Sequence, residues 1–139
     1  MTTQTMTQTT NLDAYYDTIQ TGGYLLTPVE ARRWSTAVLK TLGLNMSRSA
    51  KKQLKAALPE ELASEVGRIF RLAHFRDKTM PRQDFLKECA RRAGATDPIF
   101  ARHPVKAVFH ALKNLLDDDT IQTVTDDLAP QISQMWQEA

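Results

Sequence analysis

The chain has 139 residues, 42% of them hydrophobic and 24% charged, enough for one ordinary core or for two very small halves that share one. Five glycines and six prolines exclude a collagen-like or disordered body, and a single cysteine excludes an internal disulfide framework. The net charge of +2 hides a segregation: all 18 lysines and arginines lie from Arg32 to Lys113 beside seven acids, a local +11, while both flanks carry acids and no base.

Residues 1–10, "MTTQTMTQTT", are uncharged and rich in Thr and Gln, which predicts a flexible tail. They have neither a basic nor an apolar leader region, and nowhere do about 18 apolar residues run together. Neither export nor a membrane span is expected, and the cytoplasm is the expected compartment. A first helix closes at Gly22 and Gly23. A second opens with Thr27 as N-cap, Pro28 in its first turn and Glu30 reaching back to the Thr27 amide as a capping box. Its apolar positions Val38, Leu42 and Met46 recur every four residues, as one buried helical stripe requires. Ser47 caps a third helix and Pro59 marks a fourth. The stretch "GRIFRLAHF" extends that fourth helix with Ile69, Phe70, Leu72 and Phe75, an apolar run expected to dock on the second half of the chain. A linker is expected at "RDKTMPRQ". Beyond it the order repeats: a helix stopped by Gly94, one announced by Asp97 and Pro98, one capped by Asp117 and one begun at Pro130. Pro104 stands where the first half has Trp34, and is expected to kink or restart its helix.

The repetition keeps one register. An offset of 70 residues, without gaps, pairs Ala31 with Ala101, Arg32 with Arg102, Val38 with Val108, Leu42 with Leu112 and Leu58 with Leu128. Apolar character recurs where identity does not, as in Tyr15 with Phe85, Tyr16 with Leu86, Leu39 with Phe109 and Leu62 with Ile132. Agreement at core-type positions is what a tandem duplication leaves after surface drift. The expected fold is all-α: two tandem four-helix repeats, residues 11–80 and 81–139, packed into one compact helical domain that unfolds cooperatively.

The stretches "AVLKTLG" and "LKAALPEEL" in the first half, and "AVFHALKNLL" and "VTDDLAPQI" in the second, carry a resemblance. From about Asn11 to its end the chain resembles the bacterial helical proteins catalogued as domain of unknown function 2267. These are packing and capping residues, so the resemblance implies an all-α fold and brings no catalytic residue, cofactor or partner with it.

On the third helix, Arg48, Lys51, Lys52 and Lys55 sit at helical spacing opposite Ala50, Leu54 and Ala57 and form a candidate anion- or partner-binding face. A solvated helix face is the commoner meaning of such a cluster. The second half has Asp118, Ile121, Gln122 and Thr125 at the equivalent positions, so any anion binding belongs to one half. Asp117, Asp118 and Asp119 read as cap and first-turn charges rather than a calcium loop, which needs spaced acids and a glycine. His103 and His110 share a helix only if Pro104 leaves it continuous, and with His74 they read as surface histidines. Cys89 lies on an apolar face and reads as a buried, inert thiol. Trp34, Trp136, Tyr15, Tyr16, Tyr24 and Phe75 are expected in the core or between the halves. No metal, cofactor or catalytic constellation is expected: the chain has no zinc-ligand spacing, Gly-rich phosphate loop or metalloprotease helix. The resulting expectation is a non-enzymatic binding or scaffold module acting through a protein partner, with nucleic-acid or anion binding by the basic third helix as the alternative.

Overall fold

The computed structural model describes the backbone of residues 2–67 and 78–139, and their side chains from Leu12 onward. The described residues form α1 (Thr2–Gly22), α2 (Pro28–Leu44), α3 (Arg48–Ala57), α4 (Glu60–Ala63), α5 (Arg82–Arg92), α6 (Arg102–Leu115), α7 (Asp118–Asp127) and α8 (Pro130–Glu138), with no strand among them. The fold is all-α, as expected. Helices α3 and α7 are both ten residues long and begin 70 residues apart, as do the starts of α4 and α8. One difference lies at the beginning, where α1 runs back to Thr2 through residues expected as a tail.

Cap chemistry sets most boundaries. Thr27 is extended and its hydroxyl oxygen accepts the Glu30 amide at 3.2 Å, with Pro28 opening α2 behind it. The reciprocal half of the expected capping box does not form. Ser47 Oγ accepts the Ala50 amide at 3.3 Å and Asp117 Oδ1 accepts the Thr120 amide at 2.8 Å, so the equivalent residues cap α3 and α7.

Asp97 does not repeat the Thr27 signal. Its carboxylate accepts the Ile99 amide at 2.9 Å, closing a local turn instead of capping a helix. Residues 98–101 form a turn closed by bonds from Arg102 to Ile99 and from His103 to Phe100, and α6 starts only at Arg102. The reason is Pro104: with no amide to give, it is tolerated in a helix's first turn and not farther in, so the helix restarts around it. His103 and His110 then share the uninterrupted α6.

Helix α1 ends at Gly22 and α5 just before Gly94, as expected, but the stop after α1 is made by a different residue. Both close in the same way, with Leu25 N–H reaching Gln20 O at 2.9 Å and Ala95 N–H reaching Ala90 O at 2.8 Å, the six-residue bond of a Schellman motif. The left-handed residue of that motif is Gly94 (φ 76°) in the second half but Tyr24 (φ 56°) in the first. Gly22 and Gly23 serve another purpose. A β-carbon on Gly22 would stand 3.1 Å from Ala107 Cβ, and one on Gly23 would stand 3.1 Å from Pro104 Cα, so these glycines let α1 lie close on α6.

The fourth helix of the first half closes at Ala63 and is followed by a turn to Gly67 (φ 63°), so it is not extended as one helix toward the apolar run beyond. Ile69, Phe70, Leu72, Phe75 and His74 lie outside the described residues, as does the expected docking of that run.

Packing crosses the midpoint of the chain at every level. Helix α1 lies against α6 as well as α2, α2 against α5 and α6, α3 against α7, and α5 and α6 against α8. Paired stripe residues Val38 and Val108, and Leu42 and Leu112, are fully buried in one cluster with Leu54, Phe85, Val124 and Ile132. Phe109 stands between Phe85 and Trp136, with ring centroids 5.9 and 5.3 Å away. Polar bonds also span the halves: Ala129 N–H donates to the buried Asn45 Oδ1 at 3.2 Å, and Ser47 N–H donates to Asp127 Oδ2 at 2.8 Å.

Candidate functional site

Helix α3 packs its Ala50 and Leu54 inward and carries Arg48, Lys52 and Lys55 exposed on the other side, so the structure brings the basic face together as the helical spacing requires. Lys51 is half-buried, with its chain running over the turn at Gly67, where an added β-carbon would stand 3.1 Å from Lys51 Nζ. Burial and the neighbouring charges of Lys55 and Arg48 push the Lys51 ammonium below its ordinary value. Among the described residues no carboxylate ion-pairs with any of the four. This face is cationic, and its exposed cations are Arg48, Lys52 and Lys55.

A second location combines charge with a concave apolar surface. The groove between α5, α6 and α8, closed at one end by the 98–101 turn, has a volume of about 820 Å³. Its floor is made by Leu86 and Val105, its walls by the aliphatic parts of Met135 and Ile99. Around the rim stand Arg82 and Lys87 from α5 and Arg102 and Lys106 from α6, against the carboxylates Asp84 and Glu138. Arg82 faces Glu138 at 3.9 Å, whereas Lys87, Arg102 and Lys106 have no ion pair among the described residues.

The first half carries different side chains at the register equivalents of this groove. At the register equivalent of Leu86 stands Tyr16, whose half-buried ring lies 5.4 Å beneath the Arg32 guanidinium. Burial and then Glu61 push its hydroxyl up to about 12. A ring, a guanidinium and a carboxylate therefore occupy that space. In the second half the same three positions hold Leu86, Arg102 and Gln131, and the shorter leucine gives Arg102 no ring to stack on. Sequence reasoning missed the groove. The signal it left was the Tyr16-to-Leu86 change beside the identical Arg32 and Arg102.

An aromatic chain leads from the groove to the first half. His103 in the groove wall meets Tyr24 edge-on at 5.1 Å and Phe100 at 6.1 Å, and Phe100 meets Trp34 at 6.5 Å. Trp34, Trp136 and Tyr15 are core residues as expected, while Tyr24, 70% exposed at the left-handed end of α1, meets the second half through His103. Phe75 lies outside the described residues.

The remaining candidates have structural roles. Asp117 caps α7, and the Thr120 amide it accepts holds its carboxyl below the ordinary range. Cys89 is fully buried, and burial pushes its thiol up to about 12 against the opposing effect of the Thr41 hydroxyl. His110 is exposed on α6 and His103 is held among rings; among the described residues no three metal-ligating side chains converge. No described helix is long and apolar enough to cross a membrane.

The family model described as "Uncharacterized conserved protein (DUF2267)" matches residues 13–135. No curated protein matches the chain.

Proposed function

The chain belongs to the uncharacterized conserved family DUF2267, and from that premise we propose that it is a non-enzymatic, cytoplasmic binding or scaffold module that acts through a protein partner. The observation carrying this reading is the groove of α5, α6 and α8, which joins the exposed Ile99 to Lys87, Arg102 and Lys106, three cations with no ion pair among the described residues. We read the two halves as a tandem duplication in which one half closed its cleft with Tyr16 and the other kept it open.

The alternative is nucleic-acid or anion binding by Arg48, Lys51, Lys52 and Lys55, which have no ion pair among the described residues. A pull-down from native cells, identified by mass spectrometry and repeated with nuclease, separates the two. Partners that survive nuclease are expected. Loss of every partner on nuclease treatment would transfer the function to α3.

A further inference from the structure

We propose that the groove between α5, α6 and α8 receives an acidic amphipathic helix of the protein partner, its apolar side chains on Leu86, Val105, Met135 and Ile99 and its carboxylates on Lys87, Arg102 and Lys106. The inference rests on the partner-binding reading and assigns it a site and a chemistry.

The charge pattern selects the sign of the occupant. Three rim cations have no ion pair among the described residues, and one acid of the rim, Glu138, is already turned to Arg82 at 3.9 Å. A basic or neutral segment would take water from Lys87, Arg102 and Lys106 and return nothing, whereas carboxylates at the edge replace that water and steer the approach. The floor selects an occupant with apolar side chains. Val105 and Leu86 are buried, but Ile99 is 68% exposed at the mouth, so an entering apolar residue removes surface that nothing in the described chain covers. A nucleic-acid backbone satisfies the cations and leaves Ile99 uncovered. The fold selects the form of the occupant: no sheet edge is available among the described residues for strand addition, and a trough between helices is the surface on which an amphipathic helix lays its apolar stripe.

The direct probe is a fluorescein-labelled synthetic helix with Leu at i, i+3, i+4 and i+7 spacing and Glu and Ala elsewhere, titrated with the full chain by anisotropy. Saturable binding is expected. The double substitution Arg102→Glu and Lys106→Glu, both at exposed positions, is expected to weaken it by about tenfold or more. A peptide with Lys in place of Glu should then prefer that variant to the unaltered chain. Lys51→Glu with Lys55→Glu should leave affinity within about twofold, since α3 is not part of the groove. Circular dichroism on each variant confirms that the fold is intact. No binding of the acidic peptide overturns the inference, and so does equal binding by the charge-reversed groove. Equal binding of a neutral Gln peptide, binding of oleate in place of either peptide, or a dimer of the chain that dissociates on the same reversal each overturns it too. Loss of binding on altering α3 alone removes the groove but keeps the partner-binding reading, which falls only if the nuclease-treated pull-down returns nothing.

Discussion

Leu42 and Leu112 lie 70 residues apart, and each is fully buried on the inward stripe of its helix. Their four-residue spacing from Val38 and Val108 made them readable from sequence, because a stripe has to face the core wherever that core is. Truncating either to alanine is expected to destabilise the chain by about 2 to 5 kcal/mol, and urea titration giving less than about 1 kcal/mol would remove that residue from the core. Asn45 was not readable. It is polar and buried, and its carbonyl accepts the Ala129 amide at the entrance to α8, 84 residues away, a relation no local pattern announces. Asn45→Ala leaves that buried amide unpaired and should cost about 1 to 3 kcal/mol. Cys89 adds a pH dependence. Folded, its thiol keeps its proton up to about 12; its ordinary value is 9.0. Between those values the unfolded chain binds fewer protons, so stability is whole below about pH 9 and falls as pH rises, by about 1.4 kcal/mol per pH unit. Burial of Tyr15 and Tyr16 raises their hydroxyls and deepens the fall at higher pH. Urea titrations across that window should show the decline, shallower in Cys89→Ala; a flat profile would mean that the thiol is not buried.

At the scale of elements, cap residues were legible because their chemistry is local: Thr27, Ser47 and Asp117 each accept an amide three residues on. At the entry to α6 the restart expected from Pro104 was legible, but the signal of Asp97 and Pro98 was misread, because they match Thr27 and Pro28 in sequence while Asp97 closes only a local turn. The end of α1 at Gly22 was legible but its cause was not: the smallness of Gly22 and Gly23 is used against α6, and the left-handed turn falls on Tyr24. The groove was hard to read for a related reason, since it depends on how three helices of the second half pack, and its one trace in the sequence is the change from Tyr16 to Leu86. Glycines test this assignment. Gly94→Ala meets nothing within 4 Å, so its cost is that of the left-handed backbone alone, about 1 to 2 kcal/mol. Gly43→Ala gains helix propensity, yet its β-carbon would lie 2.3 Å from Gly67 N, against backbone that has to move. Chemical denaturation should therefore find Gly43→Ala the more damaging of the two; the reverse order would mean that α2 does not approach the 64–67 turn as described.

For the whole molecule, the decisive feature is that helices of the first half pack on helices of the second. Halves of this size have only marginal stability on a core of their own, and here α1 with α6, α2 with α5 and α3 with α7 put each half's apolar faces on the other. The groove depends on this arrangement, because the turn that closes it is anchored through Phe100 to Trp34 of the first half. The two tryptophans allow a direct test, since Trp34 belongs to the first half and Trp136 to the second. In Trp136→Phe the fluorescence reports the first half, in Trp34→Phe the second, and far-UV circular dichroism reports both in either variant. Urea unfolding is predicted to give one midpoint for fluorescence and dichroism within each variant, with one slope appropriate to the full chain. A fluorescence transition separated from the dichroism transition in either variant would mean that the halves unfold independently, and would contradict a shared core.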